Sequence, residues 1–425
     1  MLRTVLSAFT VAEIRKKVLF TAFILLLYRL GAHVPVPGAN ADAIDSLQKS
    51  LGSGGGVLQL LNTFSGGGLA RTALFALGIM PYITSSIILQ LLTVVVPSLE
   101  KLSKEGEVGQ TKITQYTRFL TVGLAFAQSV GYVFLFRSLS QSAGEQLIPD
   151  FTFIPVFIIV LSLTAGCMLV MWMGELITQR GIGNGISLMI FASIVSRLPG
   201  GVSSWWNSSD QVFKVIMPFL ALGVIAAIVY IQEGQRRIPI QYAKRVIGKR
   251  MMSGGQTYLP LRVNMAGVIP VIFAASLLAF PATIGQLVGT SWGQDISDFF
   301  VAGHAPYLIF ETLLIILFTY FYTAVTFNPT DQADNLRKYG GFIPGVRPGR
   351  PTAEFLDRIL ARLTFPGALY LAAVAALPTL IINQTNTQFF FGGTSLLIVI
   401  GVALDTMKQL EAQLMMRNYE GYLGR

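Results

Sequence analysis

The chain has 425 residues, of which 53% are apolar before its 42 glycines are counted and only 12% are charged. Soluble domains carry roughly 25% charged residues, so this chain lacks the polar coat that a water-facing surface needs and reads as a polytopic membrane protein. Two histidines and one cysteine, Cys167, exclude a Cys/His metal cluster or an internal disulfide framework. The net charge of +10 must then be read by side of the bilayer, not as a nucleic-acid signal.

Residues 1–17 mix Arg3, Glu13, Arg15, Lys16 and Lys17 with apolar side chains. They read as a short amphipathic helix on the cytoplasmic interface, not as a cleavable signal. Ten apolar runs long enough to cross a bilayer follow. They lie at about 18–34, 72–96, 117–136, 153–173, 183–198, 212–231, 266–288, 307–327, 363–382 and 391–410. The fifth is short, and Asp405 interrupts the tenth. The expected fold is all-α.

With the N-terminus cytoplasmic, the cytoplasmic segments hold 25 Lys and Arg against 13 Asp and Glu, and the outer segments hold 6 against 8. That bias obeys the positive-inside rule and puts both termini in the cytoplasm.

Between the first two runs lies an outer segment with two glycine clusters, 52–56 and 66–68. The stretch between them holds Val57, Leu58, Leu60, Leu61, Asn62, Thr63 and Phe64, about two helical turns and too short to span. It reads either as a small helix that moves on glycine hinges or as a fixed re-entrant turn.

Within the spans, Pro81 falls near the middle of the second run and Pro270 in the first half of the seventh, where each is expected to bend its helix. Ile79 and Ile83 share one helix face, as do Ile269 and Ile272, and Ile190 lies in the fifth run. Such isoleucines are ordinarily lipid-facing or core. Their alternative is a constriction that closes a pore by excluding water.

Two cytoplasmic loops are long and basic. Residues 232–264 carry Arg236, Arg237, Lys244, Arg245, Lys249, Arg250 and Arg262, and residues 328–362 carry Arg337, Lys338, Arg347, Arg350, Arg358 and Arg362. Such loops serve topology and attraction to anionic lipid, or a docking platform for an acidic or RNA-bearing partner.

Several enzyme classes are disfavoured. There is no HExxH, GxSxG or P-loop motif, and His33 and His304 lie at or beyond outer span ends. The centres of runs two, three, four, six, seven and nine lack ionisable residues, which argues against a proton-coupled carrier. Arg29, in the outer half of the first run, could snorkel outward or pair within the bundle, and Asp405 is expected to pair with a basic neighbour.

Five strings are specific: GGGLARTALFALGIMPYITSSIILQLL (66–92), RGIGNGIS (180–187), GQRRIPIQYAKR (234–245), LPLRVNMAGVIPVIFA (259–274) and FNPTDQADNLRKYGGFIPGVRPG (327–349). With YRLGAHVPVPG near the start and QLMMRNYEGYLG in the tail, they resemble the SecY family of bacterial translocon channels. The resemblance implies ten helices in two pseudo-twofold halves, 18–210 and 211–414, around a pore, with a cytoplasmic tail at 415–425. It implies a pore ring of Ile79, Ile83, Ile190, Ile269 and Ile272, its sixth position near Ala403 or at Ile400, and a plug at 57–66. It implies a lateral gate of spans two and three against seven and eight, where Ser85, Ser86, Gln90, Gln128 and Asn264 are candidate contacts. Polar bundle glue explains those five nearly as well.

The resemblance further implies a protein-conducting channel of the plasma membrane, without cofactor. Its implied partners are SecE-like and SecG-like small subunits, a SecA ATPase, the ribosome, and signal sequences with their nascent chains. Arg347 would be a docking tip. The alternatives are a small-solute transporter and a non-conducting scaffold.

Overall fold

The computed structural model describes residues 11–38, 40, 62–143, 151–207, 211–242, 245–247, 250–252, 256–288, 299, 305–385 and 393–423. Each of the ten apolar runs contains a helix. The first half is built from α1 (Ala12–Gly31), α2 (Met80–Val95), α3 (Pro97–Lys104), α4 (Glu107–Ala143), α5 (Phe153–Arg180), α6 (Gly185–Val195) and α7 (Leu198–Trp206). The second half begins with α8 (Gln211–Glu233), followed by strands β1 (Gln235–Tyr242), β2 (Arg245–Ile247), β3 (Arg250–Met252) and β4 (Gln256–Arg262). Then come α9 (Ile269–Val288), α10 (Ala305–Thr326), α11 (Pro329–Lys338), β5 (Gly341–Phe342), α12 (Arg350–Thr385) and α13 (Gly393–Leu423).

Among the described residues six helical stretches are long and apolar enough to cross a membrane, and a seventh if α2 and α3, bent by 100° at Pro97, count as one. Residues 12–17 run directly into α1, so the amphipathic start and the first span form one helix there. Large apolar side chains such as Phe119, Phe153, Phe219, Leu222, Ile309 and Leu313 face outward. In water such a surface would be a severe liability, whereas lipid satisfies it.

Both prolines expected to kink their helices instead begin them. Pro81 stands in the first turn of α2 and Pro270 is the second residue of α9. There the missing N–H removes no ladder bond. The reason lies three residues earlier: Gly78 (φ 56°) and Gly267 (φ 62°) both adopt left-handed backbone. That conformation turns the chain sharply before each helix starts. The two halves thus share one local device, Gly-x-x-Pro, at the start of corresponding helices. Residues 72–79, expected to begin the second span, instead continue the chain of turns that starts at residue 65.

Packing follows the two-half plan. In the first half α4 lies against α2 and α5, and α1 against α5 and α6; in the second, α10 lies against α9 and α12, and α13 against α8 and α12. The halves meet where α9 packs on α2 and α4, and again where α13 packs on α6. A large apolar core runs through both halves. Buried polar contacts tie helices within the first half: Tyr28 Oη to Ser193 Oγ at 2.7 Å, and Ser129 Oγ to Thr164 Oγ1 at 3.1 Å. Arg118 of α4 grips Glu175 of α5 through two hydrogen bonds of 2.9 and 2.6 Å.

The two basic loops are one structure. β1 pairs antiparallel with β4 along its length and with β5 through Gln241 and Tyr242, giving the order β4-β1-β5. Since β5 belongs to the second loop, the sheet stitches the loops together. Ile238 and Ile240 alternate inward along β1, as a half-buried strand requires. Ile238 joins Leu261, Phe327, Ile343, Leu356 and Leu360 in a separate small core beneath the sheet.

Candidate functional site: a neck and its closures

The isoleucines singled out in the sequence all belong to the main apolar core or pack against it. Ile79 (2% exposed), Ile83 (3%), Ile190 (1%) and Ile272 (4%) all belong to the main core cluster, and Ile269 is half-buried against it. Their positions follow from the helix starts: Ile79 immediately precedes α2, Ile83 lies one turn inside it, and Ile269 and Ile272 occupy the first turn of α9. Ile190 is mid-way along α6. In α13, Ile400 packs against the same cluster whereas Ala403 is exposed. Leu397, Ile398 and Val402 of α13 are members of that cluster as well.

On the side of the basic loops this apolar group gives way to a polar cavity of about 330 Å³. Val268, Ile269 and Val402 form its apolar end, and Asn184, Gln232, Asn264 and Asp405 supply polar lining. Asp405 Oδ1 stands 4.0 Å from Arg262 Nη1, the basic neighbour expected for it, and Lys408 bridges to Glu233 at 2.8 Å. Asn264 donates from Nδ2 to the Gly267 carbonyl at 2.9 Å and so helps set the turn that starts α9.

On the outer side lies the end of the segment expected to be a plug. Val57, Leu58, Leu60 and Leu61, like the glycines at 52–56, lie outside the described residues. Asn62, Thr63 and Phe64 form a helical turn leading into a dense knot. Asn62 Oδ1 accepts from the Ala70 amide at 3.1 Å, the Asn62 carbonyl accepts from the Gly67 amide at 2.8 Å, and Ser65 Oγ accepts from the Leu69 amide at 3.1 Å. Asn62, Phe64 and Ser65 are all buried. The glycines at 66–68, read as part of either a hinge or a fixed turn, form a bonded turn with Gly66 and Gly67 both at positive φ. Arg29 does not snorkel outward: its Nη1 donates to the Gly66 carbonyl at 2.8 Å and to Ser196 Oγ at 3.2 Å.

The candidate gate residues separate on inspection. Ser85 is buried but donates to the Pro81 carbonyl of its own helix at 2.8 Å, Ser86, Gln90 and Gln128 are half-buried, and Asn264 serves the α9 turn. Nothing brings these five together. Two polar contacts between the halves were not foreseen: Ser276 Oγ of α9 lies 3.8 Å from Met80 Sδ of α2, and Lys17 Nζ of α1 donates to Gln413 Oε1 of α13 at 3.4 Å. No sequence signal marks Ser276, because a serine one turn from another carbonyl ordinarily bonds its own helix. It does that as well, at 2.8 Å to the Ile272 carbonyl.

Of the candidate docking residues, Arg236 and Arg237 are exposed on β1, and Arg337 and Lys338 at the end of α11. Arg245 and Arg250 lie in β2 and β3, which pair as a hairpin, while Lys244 and Lys249 fall outside the described residues. Arg347 is exposed on the turn between β5 and α12. Its carbonyl accepts from Thr352 Oγ1 at 2.8 Å, and Gly345 and Gly349 take positive φ on either side. The arginine is held on a rigid tip.

The SecY family profile matches residues 73–407. Two protein translocase subunits SecY resemble the chain over its whole length and theirs: that of Streptomyces galbus at 47% identity, and that of Mycobacterium bovis at 48%. Among solved structures, a protein-conducting channel superposes with a TM-score of 0.63 at 18% identity, over 93% of this chain and 91% of that one. Sec61 from a canine ribosome-channel complex superposes at 0.59 with 18% identity and the same coverage. Apolar helices in two packed halves, full-length identity near one half and a shared channel fold agree on the assignment: the chain is a multi-pass membrane protein and belongs to the SecY family.

Proposed function

We propose that the chain is the channel through which unfolded secretory polypeptides cross the plasma membrane, and from which membrane-protein helices pass sideways into lipid. One observation carries this reading. Ile79, Ile83, Ile190 and Ile272 belong to one buried apolar cluster drawn from both halves, Ile269 and Ile400 pack against it, Phe64 of the 62–68 knot joins it, and Ile269 also lines a polar cavity. Apolar side chains without hydrogen-bonding demands dewet a narrow neck, yet yield around any passing sequence. The segment 57–66 is the plug. A related solved channel is described as having a plug domain that stabilises the closed state and maintains a membrane seal.

The lateral gate is the seam of α9 against α2 and α4. A signal sequence of about ten apolar residues gains a few kcal/mol by leaving water for lipid. Only the parted seam offers it a groove, so that gain shifts the population toward the open form. Energy and chain come from cytosolic partners that dock on the sheet joining the two basic loops, with Arg347 at its tip. These partners are a SecA-type ATPase and the ribosome, since a related Sec61 was solved in a ribosome complex. SecE-like and SecG-like small subunits and anionic lipid complete the assembly, and both termini face the cytoplasm. The test is reconstitution: proteoliposomes carrying the chain with its small subunits should protect a secretory precursor from external protease when the ATPase and ATP are added. Failure to protect any precursor contradicts the proposal.

A further inference from the structure

The outer ends of α1 and α6 carry arginines that hold the 62–68 knot, and the channel reading does not use them. Arg29 Nη1 donates to the Gly66 carbonyl at 2.8 Å, and Arg197 Nη1 donates to Thr63 Oγ1 at 2.8 Å. One bond grips a backbone carbonyl of the segment and the other a side chain, the first from α1 and the second from the turn between α6 and α7. Tyr28 and Ser193, immediate or near neighbours of the two arginines, bond to each other at 2.7 Å and fix the spacing of α1 and α6. A third guanidinium, Arg71, lies close enough for its charge to act on both. Its Nη1 is buried without a hydrogen-bond partner among the described residues. Its Nη1 therefore adds like charge to the clamp and no bond to the described part of the segment.

We infer that Arg29 and Arg197 are positioning residues that hold the plug in the resting channel, and that their two hydrogen bonds to Gly66 and Thr63 set how readily it leaves. This rests on the plug reading above. A bond donated by a charged group in a partly buried site is among the stronger ones available to a side chain. Breaking either bond lets the segment leave more often, and Arg71 provides the comparison, being charged and adjacent with no bond from its Nη1 among the described residues.

The experiment measures resting ion conductance of the full-length chain, purified with its accompanying small subunits, in planar bilayers. Arg197→Gln and Thr63→Val are each expected to raise resting open time roughly ten-fold. The double variant should rise by less than the two single effects combined, because both remove the Arg197–Thr63 bond. Arg29→Gln should act similarly and add to either, and Arg197→Lys should recover part of the seal. Arg71→Gln should not raise the leak. Thr63→Val changes no charge and little volume, so it stays informative if an arginine variant fails to assemble. Deletion of 57–64 is run alongside. If the deletion leaks but Thr63→Val and both arginine variants seal normally, the clamp is wrong and the plug stands. If the deletion itself does not leak, the plug reading fails. Equal leak from Arg71→Gln, or additivity of Arg197→Gln with Thr63→Val, also overturns the clamp.

Discussion

Ser276 Oγ sits 3.8 Å from Met80 Sδ, so a hydroxyl of α9 meets a thioether of α2 at the junction of the two halves. Both residues lie one turn or less from the isoleucine cluster, and parting the seam must separate them. The single hydroxyl proton is shared with the Ile272 carbonyl at 2.8 Å, so the contact to the thioether is worth at most about 0.5 kcal/mol. Met80→Leu keeps the volume and removes the weak acceptor. It should let precursors with weakened signal sequences through about twice as often, as should Ser276→Ala, and the two together should do little more than either. Strict additivity in a precursor-protection assay would show that the pair does not act as a unit.

The helix starts give a second prediction. Because Pro81 and Pro270 stand in first turns, Pro81→Ala and Pro270→Ala should each cost under about 1 kcal/mol. Gly78→Ala should cost more, about 1–2 kcal/mol, from left-handed backbone. The added carbon would also come within 3.2 Å of Ser65 Cα. Thermal unfolding in detergent ranks the variants. A larger loss from the proline changes would restore the kink interpretation.

Arg118 and Glu175 tie α4 to α5 by two charge-assisted bonds, with the carboxylate side chain 13% exposed and the guanidinium 42%. Glu175→Gln leaves the arginine without its counter-charge and should lower stability by about 1–3 kcal/mol, a figure reduced by the exposure of Arg118. The charge-swapped pair, Arg118→Glu with Glu175→Arg, should recover part of that loss. No recovery in melting temperature would mean that packing, not charge, governs the site.

The sheet that joins the basic loops should matter to docking and not to membrane assembly. Gln241→Pro removes an amide from the strand that pairs with Phe342 and should free β5. Arg347→Glu reverses the charge at the rigid tip. Both should reduce ATPase-driven translocation while the chain still inserts and purifies with its small subunits. Unchanged translocation in Arg347→Glu would remove the tip from the docking account.

Much of this architecture was legible because a bilayer imposes about 20 apolar residues on each crossing, and each of the ten runs does hold a helix. Pro81 and Pro270 were misread as kinks because hydropathy does not mark where the hydrogen-bond ladder begins; Gly78 and Gly267, three residues earlier, carry that information. The alternation of Ile238 and Ile240 hinted at a strand, but nothing local announces that Gln241 pairs with Phe342, a hundred residues on. The isoleucines were found by spacing and resemblance. Ser276 and Arg197 were not, since their roles depend on which residue of a distant segment folds against them.

The most direct test of a neck at the isoleucine cluster is site-specific photocrosslinking of an arrested secretory chain. Probes placed at 79, 83, 190, 269, 272 and 400 should all capture the chain, while probes at the outward-facing Phe126, Leu222 and Leu313 should not. Capture at the outward positions with none at the isoleucines would contradict a polypeptide path between the halves.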